Sequence, residues 1–292
     1  MQVRGIPKQE LSSVTGADWV DQSRRPFVEG DTAWVPVRPG EPFDREITGE
    51  PAYSGRGFYL IGDIAIVHGR SPAPEEIRQI VDFVKPRGVL WREALDDITR
   101  TPRAHVVWGS CGETRHKESG YVYILDPSRV MFSQGNRNEK DRIARLVRSG
   151  CGKERVADMF AGIGYFSLLV AGAGATVHAM EINPIACRYL ERNVRENHLS
   201  DRITVSEGDC RNLLDGIYDR ILMGHFDSVN MLPHALRHIQ PGGTIHLHAI
   251  GPQEETVRAI VEGAGFSCGI HVHKVKKYRP HAWHVVHDIT IV

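Results

Sequence analysis

The sequence lacks the features that would place the chain in a membrane or an oxidising compartment. No stretch approaches the ~20 apolar residues that a membrane-spanning helix needs, and the start, MQVRGIPKQE, contains no apolar signal-peptide core. The five cysteines are scattered, without a C-x-x-C pair or a metal-ligand cluster. These absences predict a soluble, cytoplasmic protein with free thiols and no metal site.

The sequence also lacks an excess of charge of either sign. Lys plus Arg and Asp plus Glu number 36 each, so any surface that binds nucleic acid has to be a local patch. A length of 292 residues, 41% of them hydrophobic, is enough for two domains and a large core.

The chain divides into three segments by pattern. Residues 1–50, rich in Pro, Gly and charge, predict an extended, weakly ordered lead-in or a small subdomain without an assigned role. Residues 51–135 predict a small α+β domain, because two β-rich runs flank a Gly-Asp turn and precede a helical pattern. The predicted strands there are 57–61, 64–67, 104–108 and 121–125, and the predicted helix is 74–84.

Residues 136–292 alternate between strands and helices, which implies a parallel sheet with helices on both faces. Two final β-rich segments, 268–275 and 284–292, are close enough to pair as an antiparallel hairpin at its edge. The predicted fold is therefore α/β, a Rossmann-type domain with a mostly parallel seven-stranded sheet. Its other predicted strands are 156–160, 176–180, 203–205, 221–223 and 243–250, and its predicted helices are 165–171, 184–197, 232–239 and 254–264.

A turn with two glycines is the main candidate for a ligand site. In the run DMFAGIGYF, residues 158–166, a strand enters a turn with Gly162 and Gly164 and a helix follows. Glycines let a ligand approach the backbone where a Cβ would collide, and helix N-terminal N–H groups donate to its polar atoms. A lone Gly-x-Gly is weak evidence, because such turns are common.

Two acidic residues at strand ends strengthen the interpretation. Glu181 ends the next strand, where a carboxylate can bind ribose hydroxyls, and Asp209 follows the third strand, where it can bind an adenine amino group. The third glycine of the dinucleotide fingerprint is absent, and Tyr165 and Phe166 leave less room for a pyrophosphate. Together these features favour S-adenosylmethionine (AdoMet) over NAD. Taken singly, Glu181 could be a solvated strand end and Asp209 a helix N-cap.

Residues 158–166 resemble the AdoMet motif of archaeal and eukaryotic enzymes that modify the guanosine beside the anticodon of tRNA. That family contains a guanine ring-nitrogen methyltransferase and its relative in wybutosine synthesis, which transfers a 3-amino-3-carboxypropyl group. The similarity covers roughly residues 50–292. Other stretches that agree are ETRHKESG (113–120), MFSQGN (131–136), KVKKY (274–278) and WHVV (283–286).

The resemblance implies that Ser133 and Lys140 contact the methionine tail of AdoMet. The family usually has Arg at the second position, and Lys keeps the charge but loses the bidentate fork. Lys140 as an ordinary surface charge at a helix start is the competing interpretation. The residues expected to hold the nucleoside are Phe160, Ala161, Gly162, Glu181, Asp209 and Cys210.

The loop after the fourth strand separates the two branches of the family. The methyltransferase branch usually carries Asn-x-Pro there, whereas this chain has Met223-Gly224-His225-Phe226, which resembles the aminocarboxypropyl branch. We also expect the chain to be too short in front to hold the extra N-terminal domain typical of the methyltransferase. The resemblance thus implies transfer to 4-demethylwyosine beside the anticodon of tRNA(Phe), with guanine methylation at the same nucleotide as the alternative. No general base is evident, and His225 is a candidate by location only.

A basic run near the C-terminus is a candidate surface for the anticodon loop of tRNA. Residues 273–279 combine four cationic side chains with an aromatic one, which suits phosphate contacts and base stacking. The cationic residues are Lys274, Lys276, Lys277 and Arg279, and Arg100, Arg103 and Arg115 are candidates to extend the surface. Such a run is more often a solvated hairpin. A catalytically silent RNA-binding protein is a third hypothesis, and the complete Gly turn with both acids argues against it.

Overall fold

In a computed structural model the chain folds as two units, Met1–Gly55 and Arg56–Val292. The predicted boundary between residues 50 and 51 lies outside the described part of the chain. The residues described are 1–14, 16–47, 53–96, 99–150, 153–279 and 281–292.

The N-terminal unit contains an antiparallel sheet, where the sequence left a weakly ordered lead-in and a small subdomain as alternatives. Its strand order is β2-β3-β1-β4, and alternate residues of β3, Ala33 and Val35, are buried. The strands are short and separated by Gly, Pro and charged turns, which conceals their alternation in the sequence. The elements are β1 (Gln2–Pro7), α1 (Leu11–Val14), β2 (Phe27–Glu29), β3 (Thr32–Pro36) and β4 (Arg45–Glu46).

The second unit begins with a sheet of order β5-β6-β7-β8, in which β6 and β7 are parallel and α2 connects them. The predicted hairpin and helix are confirmed. Pro74 opens α2, and Glu76 accepts the Ala73 N–H at 2.8 Å in a capping arrangement. A separate hairpin, β9 and β10, follows. The elements are β5 (Phe58–Ile61), β6 (Ile64–His68), α2 (Pro74–Val84), β7 (Gly88–Asp96), β8 (Thr101–Gly109), β9 (Thr114–Glu118) and β10 (Tyr121–Leu125).

The seven-stranded sheet predicted for residues 136–292 is confirmed, with strand order β13-β12-β11-β14-β15-β17-β16. The first five strands are parallel, and β17 and β16 form the antiparallel C-terminal hairpin. The chain order reverses between β11 and β14, which in such sheets opens a crevice at the carboxyl ends of the strands. The strands are β11 (Arg155–Asp158), β12 (Thr176–Glu181), β13 (Ile203–Glu207), β14 (Tyr218–Met223), β15 (Ile239–Ile250), β16 (Cys268–Arg279) and β17 (Ala282–Ile291).

Two apolar cores cover the two faces of this sheet. The helices are α3 (Arg137–Ser149), α4 (Ser167–Gly172), α5 (Pro184–Glu196), α6 (Cys210–Leu213), α7 (Leu232–Leu236) and α8 (Glu254–Gly263). One core contains residues of helices α3, α4 and α5, together with Ile64, Leu90 and Tyr123 from the strands that precede them in the chain. The other core contains residues of helices α7 and α8. Among the described residues, none of the helices has the length and apolarity to cross a membrane.

Candidate active site

The carboxyl ends of the parallel strands border a cavity of about 790 Å³. Its volume is in the range of small-molecule sites, and it lies at the reversal of strand order. Among the predicted cofactor residues, Ala161 does not line it: its side chain is buried and its N–H donates to the Met180 carbonyl at 3.0 Å. The predicted residues that do line it are Ser133, Lys140, Phe160, Gly162, Glu181, Asp209 and Cys210.

The glycine turn leaves no room for larger residues. Gly162 has φ +58° and Gly164 has φ +101°, the left-handed region that glycine adopts without strain. A Cβ at Gly162 would lie 2.8 Å from Cδ2 of Tyr165, and one at Gly164 would lie 3.0 Å from Cγ of Leu168. The turn therefore presents bare backbone to the cavity, as a closely approaching ligand requires.

Glu181 is tied to the glycine turn. Its Oε2 accepts the Gly162 N–H at 2.7 Å, and its Oε1 accepts the Asn183 N–H at 2.8 Å. Burial raises the pKa of Glu181, which these backbone donors oppose. Each carboxylate oxygen has a further lone pair. The solvated-strand-end interpretation does not hold, and the carboxylate is held rigidly at the cavity wall.

Asp158, for which the sequence indicated no role, lies at the base of the turn. It is fully buried and accepts the Ser167 hydroxyl at 2.7 Å. Burial raises its pKa to about 6. The sequence feature that could have indicated a role for Asp158 is its position as the last residue of a buried strand, directly before the turn. The carboxyl joins the end of β11 to the first turn of α4.

Asp209 is the N-cap of α6, the alternative that the sequence left open. Its Oδ1 accepts the Arg211 N–H at 2.9 Å, and the Arg211 guanidinium also pairs with the carboxylate. This guanidinium lowers the pKa of Asp209. Cys210 is buried, which raises its pKa to about 11 and keeps it a thiol. Both residues still line the cavity, so capping does not exclude contact with a ligand.

Lys140 is not a surface charge: it is fully buried at the cavity wall. Its ammonium pairs with Glu118, a residue for which the sequence indicated no role, and lies 3.4 Å from the Ser133 carbonyl oxygen. Phe132 and Tyr165 present their rings to it at 5.3 and 5.8 Å. Burial lowers the pKa of Lys140 and Glu118 opposes that shift. The charge of Lys140 is thus balanced within the protein.

Aromatic and cationic side chains form the rest of the cavity wall. Phe226 packs edge-on against Tyr278 at 5.3 Å between ring centroids, and the Arg100 guanidinium lies 5.7 Å from the Phe226 ring. The Nε of Arg100 is buried without a hydrogen-bond partner among the described residues, and Arg100 has φ +51°. Phe226 and Arg92 also line the cavity and were not among the predicted site residues, whereas Tyr278 is the aromatic residue of the predicted basic run.

His225 stacks on Phe160, with 5.6 Å between ring centroids. Burial lowers its pKa, so the ring is neutral at pH 7. Its Nδ1 accepts the Asp227 N–H at 3.2 Å, which favours the tautomer with the proton on Nε2. Such a ring donates a hydrogen bond from Nε2 and is poorly suited to accept a proton there.

The basic run lies on the β16–β17 hairpin. Lys274, Lys277 and Arg279 are exposed, and the Lys274 ammonium lies 5.4 Å from the Trp283 ring. Lys276 differs, because it is half-buried and lines the cavity. A register shift between Lys274 and Lys276 interrupts the regular alternation of the strand at this point.

The fold and the site together define a Rossmann-type transferase with a nucleoside site of the AdoMet kind. Residues 114–273 match the family model described as the TRM5/TYW2 methyltransferase domain. The chain is 33% identical over 246 residues to the tRNA(Phe) (4-demethylwyosine(37)-C(7)) aminocarboxypropyltransferase of Methanocaldococcus jannaschii, which covers 80% of this chain and 97% of that protein. The chain belongs to the TRM5/TYW2 family.

Solved structures of both branches of the family resemble this one. Pyrococcus horikoshii TYW2 in complex with MeSAdo has a TM-score of 0.69 at 29% identity and covers 82% of this chain and 92% of its own. Trm5b from Pyrococcus abyssi, named a tRNA (guanine(37)-N(1))-methyltransferase, has a TM-score of 0.72 at 26% identity and covers 100% and 99%. The expectation that this chain is too short in front for the methyltransferase architecture is therefore wrong, and length does not separate the branches.

Proposed function

We propose that this chain transfers the 3-amino-3-carboxypropyl group of AdoMet to 4-demethylwyosine beside the anticodon of tRNA(Phe), in the cytoplasm. The near-complete coverage of the M. jannaschii aminocarboxypropyltransferase supports this function, as does the similarity to TYW2 in complex with MeSAdo. The observation that carries the choice of branch is the loop Met223–Phe226 at the cavity. Gly224 and His225 stand there in place of the Asn-x-Pro expected of the methyltransferase.

The residues present fit a nucleoside with a charged tail. When bound, AdoMet supplies carbons activated by its sulfonium, and either methyl or aminocarboxypropyl transfer follows from which carbon faces the acceptor. Glu181 would bind the ribose hydroxyls through its remaining lone pairs, and Asp209 would bind the adenine amino group. The contribution of the protein is orientation, because these groups are fixed by backbone hydrogen bonds before any ligand arrives.

The tail site would be formed by Ser133 and Lys140. The side chain of Ser133 makes no hydrogen bond with the described residues and lines the cavity, so its hydroxyl is available to the tail. Lys140 brings its charge already paired with Glu118. In this proposal residues 136–292 are the catalytic domain, and residues 51–135 supply part of the cavity wall.

The acceptor base would enter between the aromatic residues of the outer cavity. Phe226 and Tyr278 offer ring surfaces, and Arg100 offers a buried Nε–H that has no hydrogen-bond partner in the described part of the chain. His225 would donate from Nε2 to the base and would not serve as the general base. The exposed Lys274, Lys277 and Arg279 would contact phosphates of the anticodon loop.

The second candidate function is guanine methylation at the same nucleotide, which the full-length superposition on Trm5b favours. The test incubates the chain with tRNA and with AdoMet that is labelled either in the methyl carbon or in the carboxyl carbon. We expect carboxyl label in the tRNA and no methyl label. Methyl label alone would replace the proposed function with the second candidate.

A further inference from the structure

Lys276 reaches into the cavity from the hairpin and lies across the loop that carries Ser133. A Cβ added at Gly135 would lie 3.1 Å from Cδ and 3.2 Å from Cε of Lys276, and would overlap its ammonium. Gly135 thus leaves space that the lysine side chain occupies. The ammonium is placed beside the loop expected to hold the tail of AdoMet.

The charge of Lys276 is not balanced by the described residues. Among these residues, no carboxylate lies within ion-pair distance of the Lys276 ammonium. In contrast, Lys140 pairs with Glu118 and Arg211 pairs with Asp209. Burial, together with the charges of Lys140 and Arg100, lowers the pKa of Lys276. A half-buried ammonium without a carboxylate partner is unfavourable unless an anion joins it.

We infer that Lys276 binds the carboxylate of the methionine tail of AdoMet. This inference rests on the proposed function and adds a residue that determines specificity, because fixing the carboxylate fixes the direction of the tail. The alternative anion for Lys276 is a phosphate of the RNA. The location of Lys276 inside the cavity, beside the Ser133 loop, favours the carboxylate, whereas its neighbours Lys274 and Lys277 are exposed.

The test compares ligands that differ in the carboxylate. Calorimetry measures the Kd of AdoMet, decarboxylated AdoMet and methylthioadenosine for the wild type and for Lys276→Met. We expect the variant to weaken AdoMet binding by about ten- to a hundredfold, the range for hydrogen bonds to charged groups, and the other two by less than about twofold. Equal losses for all three ligands, or no loss for AdoMet, would overturn the inference.

Three further variants keep the result interpretable. Lys153→Met, at an exposed lysine that does not line the cavity, is the control and should leave the Kd of AdoMet unchanged. Lys276→Arg should retain most of the affinity for AdoMet, and Lys276→Gln provides a second neutral side chain should the Met variant fold poorly. If Lys276→Met weakens tRNA binding in the absence of AdoMet and leaves the ratio of the AdoMet and decarboxylated-AdoMet Kd values unchanged, a phosphate contact replaces the inference.

The result of this binding test does not depend on whether the proposed function is correct. The Kd values depend on contacts with the tail and not on which carbon is transferred. Methyl label entering the tRNA would therefore refute aminocarboxypropyl transfer and leave the carboxylate contact standing.

Discussion

The carboxylate of Glu181 shapes the glycine turn and faces the cavity at the same time. Replacing Glu181 by Ala should raise the Kd of AdoMet by about a hundredfold or more, since hydrogen bonds to a charged group are lost at the ribose. Calorimetry measures this change. Glu207→Ala is the matched control, because Glu207 is the register partner of Glu181 on the next strand and is exposed. Unchanged affinity in a folded Glu181→Ala variant would refute the ribose assignment.

Asp158 makes the stability of the protein depend on pH in an unusual direction. Its folded pKa of about 6 lies above the unfolded value near 4, so the native state binds the proton more tightly between those values. This carboxyl therefore destabilises the fold progressively as pH rises from about 4 to 6. Asp158→Asn should gain stability relative to the wild type across that window, by about 3 kcal/mol in total. Urea unfolding at pH 4, 5 and 6 measures the difference, and a constant difference contradicts the expectation.

At the scale of residues, the sequence predicted the site residues that follow a strand directly. It did not predict the residues whose role depends on a partner that is distant in the sequence. Glu181 and Asp209 follow strands, which a pattern shows directly. Glu118 pairs with Lys140 from a strand 22 positions earlier in the chain. Nothing local indicates that pairing, because it arises only when the β9–β10 hairpin packs against α3.

At the scale of elements, two asparagines join helix α5 to the β9–β10 hairpin. Asn193 accepts the Ile124 N–H at 2.7 Å and donates to the Ile163 carbonyl at 3.0 Å, and Asn197 bonds both backbone groups of Val122. Asn193 is fully buried, whereas Asn197 is partly exposed. The side chain of Asn193 thereby connects the glycine turn to the edge of β10.

Asn193→Ala should destabilise the protein by about 2–4 kcal/mol, because it leaves a buried N–H and a buried carbonyl without partners. Asn197→Ala, where water can replace the amide, should cost less and is the matched comparison. The free energy of unfolding in urea measures both. Equal costs for the two variants would show that burial of the Asn193 hydrogen bonds is not the cause.

The alternating elements of residues 136–292 could be predicted, because each strand is an apolar run and each helix has its own periodicity. Helix α7 is shorter than predicted, since it ends at Leu236 and strand β15 begins at Ile239. The four-stranded sheet of the N-terminal unit was not predicted in detail. Its strands pair across long separations, as Gln2 with Glu46, and local pattern does not reveal such pairing.

At the scale of the whole molecule, buried neutral histidines make the fold sensitive to acid. His248 and His284 share a hydrogen bond of 3.0 Å and are buried behind Phe166 and Phe226. Burial lowers the pKa of His284 to about 4 and that of His248 well below its ordinary value. Because the unfolded state binds these protons first, their contribution is complete above about pH 6.5 and is lost as pH falls towards 4.

The free energy of unfolding should therefore decrease from pH 7 to pH 4.5, although protonation of Asp158 and Glu181 in the native state opposes the decrease. Replacing both His248 and His284 by Gln should flatten the decrease, because Gln does not titrate. Urea unfolding at a series of pH values compares the two proteins. Parallel pH profiles would show that other groups cause the acid sensitivity.

At the scale of the whole molecule, the residues proposed to bind the nucleoside and the methionine tail of AdoMet line one cavity, and Lys276 of the basic run lines the same cavity. The most direct test of the account identifies the nucleoside released from AdoMet during reaction with tRNA(Phe) that carries 4-demethylwyosine. Chromatography should show methylthioadenosine in proportion to the modified tRNA. Release of S-adenosylhomocysteine in that proportion would mean that the methyl carbon is transferred, and would contradict the account.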